Sequence, residues 1–237
     1  MNPLLSVVVP VFGADQALQR TLESCAGQED WLEVIVQDGT PGARNSQSAL
    51  VRRIAEPDAG IYDAMNKGRA RARGRWILFA GAGDRLVDLE GMRDALTSGQ
   101  PEVQVFRVEM GREREAGVPQ AYPARWDRSL IWRHTVHHQG VCYRADALPA
   151  VPFDVRWRVL ADYGLHLAMW RAQARAKCHA VTSMEVAPGG VSRRFDAELY
   201  REEWRMKRDV LGRMWAGIQV PWLGAKWAFK QLARLRR

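Results

Sequence analysis

Cysteine is scarce in this chain, and long hydrophobic runs are missing. Cys25, Cys142 and Cys178 lie far apart and form no Cys-x-x-Cys pair, which argues against a disulfide framework and against a zinc knuckle. No uninterrupted apolar segment approaches the roughly 18 residues of a membrane span. The first residues lack the basic and apolar regions of a signal peptide. We therefore expect a protein of the reducing cytoplasm.

The basic character of the chain is concentrated near its C terminus. The net charge is +8, yet residues 199–237 alone carry ten Lys or Arg against three Asp or Glu. A nucleic-acid binder usually spreads basic residues over a face or groove and often shows a recognisable reading module. Neither is visible here, so we expect no nucleic acid among the partners.

The first hundred residues alternate between strand-like and helix-like patterns. With 47% hydrophobic residues among 237, the chain can bury the core of one large domain or of two fused halves. Residues 4–10 and 32–37 are near-continuous apolar runs, typical of strands buried on both faces. Residues 14–25 have apolar side chains at helical spacing. This alternation predicts an α/β fold with a doubly wound, mostly parallel sheet.

The stretch from 56 to 84 continues this alternation and ends in a candidate site. After a polar turn, a helix is predicted from about 61 to 73, then a buried strand at 76–79 and a glycine-rich loop that carries Asp84. Open α/β sheets place their ligands beyond the carboxyl ends of their strands. Asp38 follows another predicted strand, so we expect Asp38 and Asp84 to face one crevice.

Seven short motifs follow one another between residues 4 and 195. They are SVVVPVF (6–12), EVIVQDGT (33–40), EPDAGIYDAMNKG (56–68), GRWILFAGAGD (74–84), HQGVCY (138–143), ADY (161–163) and GGVS (189–192). In this order and at this spacing they resemble a family 2 glycosyltransferase with a GT-A fold. The resemblance is to the group that builds bacterial extracellular polysaccharides such as colanic acid.

The resemblance implies a division of functions along the chain. Residues 1–98 would form the nucleotide-sugar-binding half of one GT-A domain, 99–195 its acceptor-binding half, and 196–237 a basic, Trp-rich helical tail. It implies inverting transfer of a sugar from a nucleotide-diphosphate sugar to a saccharide or lipid-linked acceptor, in surface polysaccharide or lipopolysaccharide biosynthesis. The alternative is a catalytically inactive relative that binds nucleotide sugars or a partner protein.

The resemblance also implies which residues bind the nucleotide sugar. They are Pro10, Asp38, which would contact the nucleobase or its ribose, Glu56, Asp58, Asn66, Lys67, His138 and Arg193. The residues themselves leave alternatives open. Glu56 and Asp58 would instead cap the following helix, Asn66 would brace the loop, and Arg193 would be a solvated surface charge.

Two features of the second half bear on the chemistry. The resemblance implies that Asp162 is the catalytic base, which takes the proton of the acceptor hydroxyl. Its position near a predicted helix start leaves an N-cap as the alternative, and one carboxylate can fill both roles. Residues 134–138 hold three histidines without a neighbouring cysteine or carboxylate, so a pocket lining is favoured over a zinc site.

The glycine-rich loop departs from the usual pattern of the family. Gly81 and Gly83 stand where most members carry the two acids of an Asp-x-Asp motif, which leaves only Asp84. A hard divalent cation can bind through one carboxylate together with the substrate's phosphates and waters. We therefore expect Mg²⁺ or Mn²⁺ at Asp84.

The C-terminal tail mixes aromatic and basic residues. Trp204, Trp215, Trp222 and Trp227 alternate with Arg and Lys on a helical pattern interrupted by Pro221, which suits the interface of an anionic bilayer. Alternatively the tryptophans pack onto the catalytic domain while the cations stay in water. We expect a peripheral protein on the cytoplasmic face of the inner membrane.

Overall fold

The computed structural model describes residues 2–98, 101–111, 119–187 and 197–235, with side chains up to residue 227. Arg193 and the GGVS motif lie outside the described residues. The strands, in chain order, are β1 (Leu5–Val11), β2 (Leu32–Asp38), β3 (Ser46–Gln47), β4 (Val51–Ala55), β5 (Trp76–Phe79), β6 (Arg85–Leu86), β7 (Val103–Met110), β8 (Ala121–Tyr122), β9 (Val141–Arg144) and β10 (Ala176–Val186).

These strands form one sheet with helices on both faces. The order is β3-β4-β2-β1-β5-β9-β7-β10-β6, and β8 pairs with β7. β4, β2, β1 and β5 are parallel, whereas β9 is antiparallel to both β5 and β7. The helices are α1 (Asp15–Cys25), α2 (Ile61–Arg71), α3 (Leu89–Ser98), α4 (Ala161–Arg171), α5 (Ala197–Leu211) and α6 (Arg213–Leu235). The predicted α/β fold is confirmed.

β1 is buried on both faces, as its continuous apolar run predicts. Val7 and Val9 belong to one core together with Leu18 of α1, whereas Val8 belongs to a second core with Met65 of α2. Successive side chains of a strand point to opposite faces, so one short run supplies both cores. Burial of each such side chain contributes about 1.5–3 kcal/mol.

Gly68 allows α2 to lie close to the sheet. A Cβ at this position would fall 2.4 Å from Cγ1 of Val8, which is far closer than carbon atoms approach in proteins. Because the contact leaves no room for a side chain, it fixes where α2 crosses β1. The start of α2 is thereby held at the carboxyl edge of the parallel strands.

The two C-terminal helices form a hairpin that packs on α4. Gly212, with φ of +96°, separates α5 from α6, and Met206 of α5 is buried in the second core. Trp222 of α6 donates its Nε1–H to the carbonyl of Trp132 (3.1 Å), so this tryptophan packs on the domain. Among the described helices, none combines the length and the apolar content that crossing a bilayer requires.

Candidate active site

Three of the expected site residues lie at one edge of the sheet. Asp38 is the last residue of β2, Asp84 follows β5, and β1 pairs in parallel with both strands. Pro10 lies near the end of β1, opposite Gln37 of β2. The carboxyl ends of the three neighbouring strands therefore bring Pro10, Asp38 and Asp84 to the edge where α/β sheets bind ligands.

Asp38 is a buried anion with its own counter-ion. Its Oδ1 accepts the backbone N–H of Thr40 (2.9 Å), and its Oδ2 accepts the Nε–H of Arg53 (2.7 Å). Burial favours the neutral acid, but the hydrogen bonds from Thr40 and Arg53 hold the pKa of Asp38 below its usual value. Arg53 also pairs with Asp15 of α1 (2.6 Å). This network fixes the turn after β2.

Asp58 lies against the same turn. A Cβ built on Gly39 would fall 2.0 Å from Oδ2 of Asp58, so any other residue there would displace this carboxylate. Oδ1 of Asp58 accepts the N–H of Gly60 (2.9 Å), the residue at the N-cap of α2, where no side chain caps the first turn. Asp58 thus shapes the approach to α2 and leaves the N–H groups of its first turn open to an anion.

Other residues expected on the nucleotide side lie elsewhere. Glu56, Asn66 and Lys67 line a groove of about 750 Å³ beside α2. Glu56 pairs with Arg71 (2.8 Å), and no side chain caps α2, so the alternative that Glu56 caps this helix is wrong. Asn66 donates to the carbonyl of Phe153 (2.8 Å) and accepts its N–H (3.0 Å). Asn66 therefore braces the segment before α4, and a nucleotide contact for these residues stays a prediction.

Asp84 holds three segments of the chain together. Its Oδ2 accepts hydrogen bonds from the N–H of Gly81 and from Nε2 of Gln139, and its Oδ1 accepts the N–H of Ala187 (2.9 Å). Only 2% of the residue is exposed. Burial raises the pKa of the Asp84 carboxyl above its ordinary value, although these donors favour the anion. Asp84 is therefore a brace at the centre of the glycine-rich loop.

A divalent cation does not fit Asp84 in this arrangement. Mg²⁺ and Mn²⁺ bind oxygen ligands that are open to them, whereas both carboxylate oxygens of Asp84 already accept N–H groups. Within residues 2–98, 101–111, 119–187 and 197–235, no group of three His, Cys, Asp or Glu side chains is placed to hold an ion. The metal role of Asp84 stays a prediction that this arrangement of donors does not support.

Asp162 lies in the first turn of α4 but does not cap it. The N-cap is Leu160, and no side-chain cap bonds the helix start. The N–H groups of Val159 and Leu160 both donate to Oε1 of Glu202 in α5 (2.8 Å each). Asp162 is therefore not the N-cap of α4, because Leu160 holds that position, and Glu202 satisfies two donors that precede the helix.

The carboxylate of Asp162 instead faces the histidine of the HQGVCY motif. Its Oδ2 lies 3.0 Å from Nδ1 of His138, while its Oδ1 accepts the N–H of Tyr163 (2.8 Å) and lies 3.2 Å from the hydroxyl of Tyr62. Burial favours the neutral acid, but the positive charge that His134 and the other facing imidazoles carry in acid, together with the hydrogen bond from His138, holds the pKa of Asp162 well below its usual range. Asp162 is a buried anion paired with His138.

His138 and Gln139 connect the two carboxylates. They lie on the single 3₁₀ turn His138–Gly140, which leads into β9, and β9 pairs with β5. Nε2 of Gln139 donates a hydrogen bond to Asp84, and Nδ1 of His138 lies at hydrogen-bond distance from Asp162. The motif thus joins the glycine-rich loop to the start of α4 and completes a cluster at the carboxyl edge of β5.

Three further histidines pack behind this cluster. Nε2 of His134 lies 3.2 Å from Nδ1 of His166. Nε2 of His166 is hydrogen-bonded to the hydroxyl of Tyr143. Burial lowers the pKa values of His134 and His166, and it lowers that of His137 to about 3. These imidazoles are neutral at pH 7 and act as packing groups.

The segment that contains the first four motifs matches a family model. The model of glycosyl transferase family 2 matches residues 6–132, more than half of the chain, and this segment contains Asp38, Asp58 and Asp84. The chain belongs to glycosyl transferase family 2. This family 2 protein is a glycosyltransferase, the enzyme class that the motifs predict.

A mycobacterial relative extends the similarity over most of the glycosyltransferase. The PGL/p-HBAD biosynthesis glycosyltransferase of Mycobacterium bovis is 28% identical over 207 residues, which cover 80% of this chain and 79% of the relative. The alignment therefore reaches well beyond the segment that the family model matches. The more specific likeness to the colanic-acid group is not confirmed by it.

Two solved structures show the GT-A fold. TarS 1-349 of S. aureus in complex with UDP-GlcNAc superimposes with a TM-score of 0.63 at 15% identity, over 87% of this chain and 65% of that one. The mannosyltransferase PcManGT of Pyrobaculum calidifontis, in complex with GDP-Man and Mn²⁺, gives 0.51 at 14% identity, over 87% and 62%. The family 2 chain thus spans just under two thirds of either structure, and the likeness concerns the fold alone.

Proposed function

We propose that this family 2 glycosyltransferase moves a sugar from a nucleotide-diphosphate sugar to a saccharide or lipid-linked acceptor, with inversion at the anomeric carbon. The main observation behind the proposal is the pairing of Asp162 with His138, next to the glycine-rich loop that Asp84 stabilises. The nucleotide sugars bound to TarS and PcManGT support this class of donor. We place the reaction in the assembly of bacterial surface polysaccharide or lipopolysaccharide, as the motif resemblance implies.

The donor side and the acceptor side of the site contribute different groups to this reaction. Pro10, Asp38 and Asp58 lie on the donor side, where the uncapped start of α2 offers N–H groups to the diphosphate. Arg193 is the cation we assign to the departing diphosphate. On the acceptor side a hydroxyl must lose its proton as it attacks, and Asp162 supplies the buried negative charge for that transfer.

The proposal is tested by binding and by turnover. UDP, GDP, UDP-GlcNAc and GDP-mannose are screened for a rise in Tm, since a ligand that binds only the folded state stabilises it. The nucleotide sugars that bind are then assayed for nucleotide release with soluble glycoside acceptors. Turnover supports a transferase, whereas binding without turnover favours the inactive, nucleotide-sugar-binding alternative.

Substitution of Asp84 by Asn tests its role in the site. We expect a lower Tm, because an amide places N–H donors where the N–H groups of Gly81 and Ala187 now find an acceptor. One buried unsatisfied donor costs about 1–3 kcal/mol. Since Asp84 acts as a brace, nucleotide affinity should fall equally with and without Mn²⁺ in a titration of UDP and GDP. A loss that occurs only with Mn²⁺ would instead establish Asp84 as a metal ligand.

We further propose that α6 contacts an anionic bilayer at the cytoplasmic face of the membrane. Met214, Trp215, Ile218 and Trp222 lie on one side of this helix and are between 37% and 74% exposed. Trp222 meets the exposed ring of Trp132, which extends this apolar face. The tail also carries most of the excess positive charge, and each basic residue near an anionic surface contributes about 1 kcal/mol.

The double substitution of Met214 and Ile218 by Ser is expected to release the full-length protein from phosphatidylglycerol vesicles. Both side chains are more than half exposed in the protein, so their loss should change Tm little. Cosedimentation across a salt series measures the binding. Val151 and Val155 are equally exposed and lie outside the tail, and their replacement by Ser serves as control. Unchanged cosedimentation of the α6 variant would contradict the proposal.

A further inference from the structure

Asp162 and His138 offer different access to an acceptor hydroxyl. Oδ1 of Asp162 faces the N–H of Tyr163 and the hydroxyl of Tyr62, and Oδ2 faces His138. The side chain of Asp162 is 10% exposed, against 21% for that of His138. A base must come within about 2.6–3.2 Å of the proton donor, and each carboxylate oxygen of Asp162 already faces one protein donor, the N–H of Tyr163 or Nδ1 of His138. The hydroxyl of Tyr62 has a nearer acceptor in the carbonyl of Val159 (2.7 Å).

The imidazole of His138 is oriented for proton transfer by its two neighbours. Nδ1 faces Asp162 at 3.0 Å, while the ring stacks on His137 with centroids 5.6 Å apart and an interplanar angle of 14°. A carboxylate accepts only, so this contact requires the proton of a neutral His138 on Nδ1 and leaves the lone pair on Nε2. In the part of the chain that the structure describes, Nε2 has no hydrogen-bond partner.

Carboxylates lie on the side of His138 that faces the protein. Asp162 provides a negative charge at hydrogen-bond distance, and Asp84 lies nearby through its contact with Gln139. Burial keeps His137 and His134 neutral by lowering their pKa values, so neither repels an imidazolium. The hydrogen bonds that Asp162 already accepts from Tyr163 and His138 weaken its carboxylate as a base.

We propose that Nε2 of His138 accepts the proton of the acceptor hydroxyl, with Asp162 as the positioning carboxylate. The inference rests on the proposed glycosyl transfer. The hydroxyl oxygen forms a bond to the anomeric carbon while the bond from that carbon to the diphosphate oxygen breaks. The electron pair leaves on the nucleoside diphosphate. The hydroxyl proton moves to His138, and Asp162 stabilises the imidazolium until the proton passes to solvent.

Chemical rescue tests this assignment. His138→Ala should lower nucleotide release by about 10²- to 10⁴-fold, with UDP-GlcNAc or GDP-mannose as donor and soluble glycosides as acceptors. Added imidazole should restore at least a tenth of the lost rate, since it fills the space of the ring and supplies a base. His179→Ala, which removes an imidazole that contacts Gln104 far along the sheet, should neither lose activity nor respond to imidazole.

Further experiments decide whether His138 or Asp162 accepts the proton. They also distinguish a failure of this inference from a failure of the proposed function. Asp162→Ala rescued by formate, together with His138→Ala that imidazole does not rescue, would assign the proton to Asp162 and overturn the inference. NMR of ¹⁵N-labelled His138 should show the Nδ1–H tautomer, and the Nε2–H tautomer would also overturn it. Transfer that survives His138→Ala removes the inference alone. A wild type without any turnover removes the proposed function and the inference with it.

Discussion

Asp162→Asn should leave a folded protein that transfers sugar about 10²- to 10⁴-fold more slowly than the wild type. Asn has the size of Asp, and its side-chain oxygen can still accept the N–H of Tyr163. The substitution removes the negative charge that faces Nδ1 of His138 at 3.0 Å and holds this imidazole in one tautomer. Both the orientation and the stabilisation of the protonated ring are therefore lost.

Nucleotide affinity should change little in the same variant. Asp162 lies at the start of α4, whereas Pro10 and Asp38 lie at the ends of β1 and β2. The measurements are kcat, the Kd of UDP or GDP, and Tm, with the exposed Asp146→Asn as a control for loss of one charge. Near-native kcat in Asp162→Asn would exclude Asp162 from proton transfer in either role.

Glu203→Gln should lower the free energy of unfolding by about 3–5 kcal/mol, the usual result of removing one partner from a buried ion pair. Oε1 of Glu203 lies 2.9 Å from Nζ of Lys207, and Oε2 lies 2.8 Å from Nζ of Lys226. Lys207 is fully buried and otherwise donates only to the carbonyl of Trp132 (3.0 Å) among the described contacts. The substitution leaves this cation without its counter-ion.

Two controls show whether the loss comes from the unpaired lysine. Lys207→Met should cost less than Glu203→Gln, because Glu203 keeps Lys226 as its partner. Glu198→Gln, at an exposed position of the same helix, should change stability by no more than about 0.5 kcal/mol. At about 2–4 °C per kcal/mol, Glu203→Gln lowers Tm by about 6–20 °C. Equal losses in Lys207→Met and Glu203→Gln would contradict this account.

The acid dependence of stability should differ between wild type and Glu203→Gln. Burial favours neutral Glu203, but Lys207 and Lys226 outweigh it and hold the pKa of Glu203 below its usual value. Its contribution is therefore present above the unfolded-state pKa of about 4.3 and is lost as the pH falls through the lower folded-state pKa. The two proteins should converge in stability under strongly acidic conditions.

Local patterns in the sequence predicted the parallel half of the sheet. Apolar runs defined β1, β2 and β5, because strands covered on both faces need no polar alternation. The positions of Asp38 and Asp84 after these strands also followed from the sequence, since parallel strands end at one edge. The helices predicted at 14–25 and 61–73 appear as α1 and α2, with ends that differ by at most two residues.

The partners of the site residues could not be predicted in the same way. Gln139 meets Asp84 across 55 positions of the chain, and Glu202 binds the N–H of Leu160 across 42. No periodicity relates residues so far apart, and only the pairing of β9 with β5 and the docking of α5 bring them together. The HQGVCY motif did mark His138 as a candidate site residue, but not the carboxylate that it faces.

The bond between Glu202 and the start of α4 makes the turn that carries Asp162 depend on the C-terminal hairpin. All ten described strands lie before residue 187, so a chain cut between β10 and Glu202 keeps each of them. In such a chain the N–H groups of Val159 and Leu160 lack the carboxylate that binds them in the full-length protein. Proteolytic cleavage at this point would therefore leave the described strands intact and remove a support of the active site.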